Sequence, residues 1–442
     1  MATISQKQIF GWEDVEILGD LERLELLLEN MPDDKLMEAL EAERGKGRNE
    51  YPIRPVWNSI LAGIVYQHQS IESLRRELMR NGQLRAVCGF DIMAGTAAIP
   101  PSWVYTRFLA KLITHKKLID EMFERLIRTV AELVPDFGRV LAMDGKQLAS
   151  YGKAVADEKM REKGDGRREN DADWGTKTHT GTDASGKTWE KVTHWFGFKL
   201  HLIVDAKYEL PVMYALKKAS EGEQPVGRGM IKELAERFPE ISERAEYLDA
   251  DRGYDDTKII VESWDSLGIK PIIDIRNCWK DGEKTRVVDG LTNVVYDYKG
   301  TVSCVCLATG EQHEMAYGGF EGDRQCHKYL CPADHLGIAC KGKSRCPISH
   351  QVRIPLSCDR RIFTPVARST YKWKRLYKNR TAVERVNSRI DRVFGFEQHF
   401  IRGRKKMELR VGIAFIAMLA MACGRIRQNE PELLRRMLKS VV

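Results

Sequence analysis

Three acidic residues, Asp144, Asp251 and Glu384, are widely separated in a 442-residue chain, yet each sits where chemistry is readily placed. Val140-Leu-Ala-Met-Asp144 is a short apolar run ending in an acid, and Glu246-Tyr-Leu-Asp-Ala-Asp251 is another. Both read as strands that close on a carboxylate, and strand ends are where open α/β sheets form ligand sites. Glu384 lies in a segment, Leu376 to Phe394, that the spacing of Val383, Val386, Ile390, Val393 and Phe394 predicts to be one helix. Tyr377, Arg380, Glu384, Asn387 and Asp391 follow each other along its polar side, with Arg380 one turn from Glu384. Two Asp and one Glu brought together would cradle Mg²⁺, a hard ion that takes carboxylate oxygens and keeps several waters. Two such ions, about 3.5–4 Å apart, suit phosphodiester cleavage and transfer, because they serve both the attacking and the leaving oxygen. No catalytic His is then required. Singly, a strand-end Asp is an ordinary turn cap and a helix Glu an ordinary solvated residue, so local context has to raise the reading.

The charge pattern points to a polyanion. The chain carries a formal charge of +8, whereas residues 371–410 alone hold 13 Lys or Arg against 4 Asp or Glu, a net of +9. The rest is near neutral. Lys372, Lys374, Arg375, Arg402, Arg404, Lys405 and Lys406 are therefore candidates for gripping a DNA backbone; the plainer reading is a solvated basic face. Met1 to Asp20 has no apolar run and so no secretory signal. The uncharged stretch Val411 to Cys423 is too short to span a bilayer and reads as a buried helix. The expected setting is cytoplasmic, without a membrane.

Ten cysteines in such a setting are a poor disulfide frame, and most fall between Cys278 and Cys358. Cys326, Cys331, Cys340 and Cys346 form the tightest group, with His327, His335, His350 and Cys358 nearby. With turn residues Gly337, Gly342 and Pro347 and a polar setting, the four could close a structural Zn²⁺ site; the spacing is looser than paired C-x2-C, and buried free thiols are the alternative.

Four regions position these groups. Residues 1–135 read as helical, with helices over Pro55 to Gln69, Ser70 to Asn81 and from Ser102, the last capped by the Ser102 side chain; the region would bind DNA ends or dimerise. Residues 136–275 read as strand, strand, strand, helix, strand, helix, strand: Val140–Asp144, Phe196–Val204, Pro211–Leu216, a helix over 221–238, Glu246–Asp251, a helix over 255–266, and Ile269–Ile275. The polar stretch 152–191 reads as a long exposed loop. Residues 276–370 form a Cys-rich insertion, and 371–442 the final helices. The class is a mixed α/β sheet flanked by helices.

Near the second acid, Asp249, Asp251, Asp255 and Asp256 compete, and Asp249 would share a strand face with Asp251. The contexts Ala142-Met-Asp-Gly-Lys146, Ala250-Asp-Arg-Gly-Tyr-Asp255 and Tyr377-x2-Arg380-x3-Glu384 resemble the motifs of the DDE transposases of bacterial insertion sequences, and Phe196-Gly-Phe-Lys-Leu-His201 is similar to the family's second strand. The resemblance selects Asp251. It implies a ribonuclease-H-like core, Asp144, Asp251 and Glu384 as ligands of two Mg²⁺ (or Mn²⁺), and contacts from Tyr377 and Arg380 to DNA phosphates. It also implies cleavage at terminal inverted repeats, strand transfer into target DNA, and at least a homodimer to hold two ends. One position departs: the family's Lys seven residues after the Glu is Asp391 here, with Arg392 next to it as a substitute charge turned about 100° round the helix. A ribonuclease-H-like nuclease or resolvase without strand transfer, and a non-catalytic DNA-binding regulator derived from a transposase, are the alternatives.

Overall fold

The computed structural model describes residues 21–46, 49–154, 169–183 and 185–435. The first twenty residues, on which the expectation of no secretory signal rests, and residues 155–168 and 184 of the stretch 152–191 lie outside them.

The sheet is built on two apolar strands. β1 (Val140–Ala149) and the second half of β3 (Thr188–Asp205) pair antiparallel, from Leu141 opposite Asp205 to Ala149 opposite Gly197. β4 (Leu210–Lys218) takes the other edge of that half of β3, and β2 (Asp173–Thr182) takes the other edge of its first half. On the far side β1 runs parallel to β5 (Tyr247–Ala250), and β5 parallel to β6 (Lys270–Ile273). Parallel neighbours need helical crossovers that cover the sheet, and α8 (Glu223–Arg237) and α9 (Pro239–Arg244) supply the first of them. An antiparallel half joined to a parallel half is the mixed sheet expected of a ribonuclease-H-like core.

The helices before β1 are α1 (Leu21–Glu29), α2 (Asp34–Arg44), α3 (Ile53–Val65), α4 (Ile71–Arg80), α5 (Gly82–Cys88), α6 (Ser102–Thr114) and α7 (Lys116–Leu133). They share one hydrophobic interior with the sheet and with the long C-terminal helix Arg404–Arg427. Phe123 of α7, Tyr214 of β4 and Phe415 of the last helix meet ring to ring, at 5.2 Å and 5.1 Å between centroids. That last helix is apolar on all sides, which is stable only when enclosed. It is long and apolar enough to cross a membrane, but 89% of its most apolar window is buried inside the protein, as the sequence predicts for Val411 to Cys423.

Between β6 and residue 370 the chain builds two small antiparallel sheets. One is ordered β10 (Gln312–Glu314), β9 (Val302–Val305), β8 (Val294–Tyr296), β7 (Arg286–Val287); the other is β11 (Ala316–Glu321), β12 (Cys326–Leu330), β13 (Gln351–Pro355). They enclose their own apolar cluster, including Val294, Tyr296, Tyr329, Ile354 and Phe363.

Several local expectations are corrected. The stretch read as a loop holds β2 and the start of β3: Thr176, Thr178 and Thr182 alternate as a strand should, but this arm of the hairpin is exposed, so no apolar period marks it. β1 continues five residues past Asp144, which is therefore mid-strand. Ser102 is the first residue of its helix and Pro101 precedes it, with no side-chain cap. The helix expected over 255–266 is α10 (Thr257–Val261) followed by one π turn, Glu262–Ser266. The helix expected over 376–394 is broken: α12 (Tyr371–Tyr377) and α13 (Thr381–Arg392) flank a tight 3₁₀ turn at Lys378–Arg380. The short α11 (Pro332–Leu336) lies in the insertion, and Arg404–Arg427 is thus α14.

Candidate active site

Register brings the two aspartates together. Ala142 pairs with Asp249 and Met143 with Ala250 across the parallel β1–β5 ladder; Asp144 and Asp251 are the next residues on each chain. Alternation sends Met143 under α8, where its methyl carbon lies close to Gly227, and turns Asp144 and Lys146 toward α13. After Asp251 the chain leaves the strand in a 3₁₀ turn, Arg252–Tyr254, and the Asp251 carboxylate accepts the Gly253 N–H at 2.7 Å. Asp144 accepts the N–H of Gly145 at 2.7 Å. Burial, and then the adjacent charge of Asp251, push the Asp144 carboxyl up to about 6; Glu223 adds to this, while the Gly145 N–H and Lys177 oppose it. A carboxyl whose proton affinity is raised by burial and neighbouring anions is the electrostatic mark of a site that wants a cation.

Glu223 is a fourth acid at this point, and the sequence reading missed it. It is the first residue of α8, where the helix dipole favours an anion. Lys199 reaches it at 3.3 Å, and a side chain at Gly253 would run into its carboxylate and displace it. Tyr254 of the same motif is fully buried and shares a 3.2 Å hydrogen bond with His201 Nδ1. The tyrosine thus forms the floor under the acids. Burial pushes His201 down to about 3, so it is a neutral support and not a proton carrier.

The competing aspartates separate by environment. Asp249 lies wholly buried in β5. Burial pushes its carboxyl well above the usual range, with Asn379 pulling weakly the other way; neither oxygen has a well-formed hydrogen bond. Asp255 is buried and bound to Arg361 at 2.6 Å and to the Arg276 N–H at 2.8 Å. Asp256 caps α10 through the Lys258 N–H. Only Asp251 is left beside Asp144.

Glu384 approaches from the other side, on the first turn of α13, about half exposed. Arg380 Nη1 donates to it at 2.8 Å. Burial works against the charge of Arg380, but Glu384, Tyr377 and Asp144 together outweigh it and hold its pKa up. Among the described residues no three His, Cys, Asp or Glu side chains are gathered into a group that could hold a metal ion; the guanidinium of Arg380 stands among the acids in that role. Tyr377 stacks on Trp373 at 4.8 Å, and the Arg380 guanidinium lies 5.7 Å from the centre of the tyrosine ring. The irregular position of the family pattern also resolves: Asp391 binds Lys146 of β1 at 2.5 Å, and both are largely buried. A lysine ammonium therefore stands beside α13, supplied by the strand. Arg392 is exposed at the helix end.

The basic stretch divides. Arg385 and Arg389 grip the buried Glu209, and Arg410 is enclosed and donates to the Phe394 carbonyl. These are structural. Lys372, Lys374, Arg375, Arg402, Lys405 and Lys406 are exposed, while Arg404 is partly buried and paired with Glu408 at 3.0 Å. The exposed arm of β2 and β3 adds Lys177, Trp174 and Trp189.

Comparison with known proteins gives the family. No curated protein matches the chain. Among solved structures, a piggyBac transposase synaptic complex with hairpin DNA aligns over 97% of this chain and 81% of its own, at 10% identity and a TM-score of 0.39, a likeness too slight to argue from. The model of the transposase DDE domain matches residues 137–420, from the start of β1 through most of α14 and including all three acids. With most of its length accounted for in this way, the chain belongs to the DDE transposase family.

Proposed function

We propose that this transposase cuts the ends of its insertion sequence and joins them to target DNA, with Asp144, Asp251 and Glu384 as the acids that hold two divalent cations. The observation that carries the reading is the pair of neighbouring carboxylates on β1 and β5, one of them pushed up to about 6, with Arg380 as the stand-in cation. Mg²⁺ or Mn²⁺, when bound, supplies charge neutralisation at the scissile phosphate and activation of the attacking oxygen.

The chain's own residues do the rest. Asp144 and Asp251 are fixed by the ladder and by the N–H groups of Gly145 and Gly253, so they offer a rigid wall. Glu384, half exposed on α13, is the adjustable third ligand. Arg380 leaves Glu384 for a DNA phosphate, and Tyr377, pinned by Trp373, positions it. Lys146, held by Asp391, keeps positive charge beside the site. Lys372, Lys374, Arg375, Arg392, Arg402, Arg404, Lys405 and Lys406 track the DNA backbone on the same side as α12 and the start of α14. The helical region 1–135 holds the transposon end or a second copy of the chain, residues 276–370 form the insertion domain, and at least a dimer brings two ends together on bacterial DNA in the cytoplasm.

Incubating the protein with end DNA and Mg²⁺, and resolving products on denaturing gels, tests this. Nicked ends and joined target strands are expected. Cleavage without joining would leave a nuclease or resolvase; binding without cleavage would leave a regulator.

A further inference from the structure

The insertion gathers a second set of thiol and imidazole side chains that takes no part in the chemistry above. A narrow cavity of about 20 Å³ is walled by Cys304, Cys306, Cys331, Cys340, Cys346 and His313, drawn from β9 and its following turn, the start of α11 and the loop up to β13. Cys326, which sequence spacing groups with Cys331, Cys340 and Cys346, is not there: it sits on β12 with its thiol 3.7 Å from the Glu321 carboxylate. Chain topology makes the correction. Cys306 is distant in sequence, but the turn after β9 delivers it to Cys340, with their sulfurs 3.7 Å apart.

That spacing is informative. A disulfide holds its sulfurs at about 2.05 Å, whereas two thiolates on one tetrahedral Zn²⁺ at about 2.3 Å sit about 3.8 Å from each other. The surroundings suit thiolates. The backbone N–H groups of Ala308, Thr309 and Gly342 point hydrogen bonds at Cys306 Sγ, and that of Gly342 also serves Cys340. Asn293 Nδ2 donates to Cys346 Sγ at 3.3 Å, and Lys343 Nζ to Cys331 Sγ at 3.4 Å. Such outer contacts orient and steady metal ligands. Gly342 passes so close that a Cβ there would come within 3.1 Å of the Cys306 sulfur.

We propose that Cys306, Cys331, Cys340 and Cys346 bind one structural Zn²⁺ that ties the four-stranded sheet of the insertion to the α11 loop. On binding, each thiol gives its proton to solvent and its sulfur to the metal. The side chains line the cavity without having closed on one point, and only the Cys306 and Cys340 sulfurs stand at a spacing that a shared metal would give them. The proposal is independent of the Mg²⁺ site.

Full-length protein purified without chelator is assayed for zinc by elemental analysis, and its thiols are counted with a thiol reagent before and after chelation. About one zinc per chain, and about four thiols that react only after chelation, are expected for a site closed by four cysteines. Cys326→Ser should keep its zinc; Cys306→Ser should lose it. Replacing zinc with Co²⁺ in the wild-type protein should give the strong visible absorption of tetrahedral thiolate cobalt, a readout that survives if a variant does not fold. Zinc-free wild-type protein, an oxidised Cys306–Cys340 pair, or zinc lost from Cys326→Ser but kept by Cys306→Ser would overturn the proposal.

Discussion

The catalytic core and the Cys-rich insertion bury their sheets on different scales. The core has one interior that runs from Leu24 in α1 to Leu434 after α14. It is large enough to carry polar groups that are poorly satisfied, among them both oxygens of Asp249, the Nε2 of His201 and the Tyr214 hydroxyl. Each such group costs on the order of 1–3 kcal/mol, which a big apolar interior offsets. The insertion closes over a much smaller cluster with strands of two to six residues. Small interiors bury a lower fraction of their surface, so the insertion leans on cross-connections: ion pairs to the core and the thiol cluster. The insertion carries such groups as well, at Asn293 Oδ1, His313 Nε2 and the Tyr329 hydroxyl, with a smaller apolar cluster to offset them.

The sharpest break of that comparison lies in the acids. Changing Asp144, Asp251 or Glu384 to Ala should lower cleavage by about a thousandfold or more, since the interactions removed are worth several kcal/mol in the transition state. End-DNA binding should stay within about twofold, because affinity comes mainly from the phosphates that the basic side chains neutralise. Asp249→Asn, which mimics the protonated state its burial favours, should leave cleavage near normal. An inactive Asp249→Asn beside an active Asp251→Asn would reverse the assignment. Next comes the seam between the regions. Arg361→Ala leaves the buried Asp255 with only the Arg276 guanidinium, 4.0 Å away, and should cost about 3 kcal/mol, read as a lower urea midpoint, with Arg361→Leu/Asp255→Asn recovering part of the loss. An unchanged midpoint would mean that the insertion does not brace the core.

The exposed basic face offers a subtler contrast with the structural arginines. Neutralising Lys372, Lys374 and Arg375 together should reduce the slope of log affinity against log salt by about 0.9 for each phosphate no longer neutralised, equally for all sequences. Equal slopes for the variant and the parent would mark a solvated face. The smallest effect concerns pH. His327, buried in β12 with Nε2 2.7 Å from the Thr364 carbonyl, is pushed down to about 4 by burial. Its folded pKa lies below its unfolded one, so the unfolded chain binds the extra proton first, and stability should fall as pH drops from about 6.5 to about 4. His327→Gln should flatten that limb, seen in denaturation midpoints across the range.

Much of this is legible in the sequence where residues close along the chain set the structure. The runs ending near Asp144 and Asp251 announce two strands, and the stripe of Val383, Val386 and Ile390 announces α13. The parallel ladder then places the acids side by side, as the motif contexts imply. What escapes depends on long-range contact. Glu223 looks like any acid opening a helix until Gly253 and Lys199 fold against it. The Lys146–Asp391 pair joins residues 245 positions apart, so nothing near Asp391 in the sequence shows that a lysine of β1 is its partner. The 3₁₀ break at Lys378–Arg380 carries no Pro or Gly to mark it. Spacing favours Cys326 over Cys306 because distance along the chain stands in poorly for distance across two small sheets.

The bond between Asp255 and Arg361 bears on modularity. By sequence, residues 276–370 look like a cassette dropped between a strand and a helix, the kind of segment a minimal enzyme would omit. Yet Arg361 holds a carboxylate only four residues beyond Asp251, and Arg368 donates to the Ile273 carbonyl at the end of β6 and to the Ile362 carbonyl. A shortened chain joining Ile275 directly to Thr370 would therefore strip counter-charge from the loop that follows Asp251. Asp255 and the residues taking the place of Arg361 would have to be redesigned together, so the piece that arrives later in the chain is a foundation of the part that precedes it.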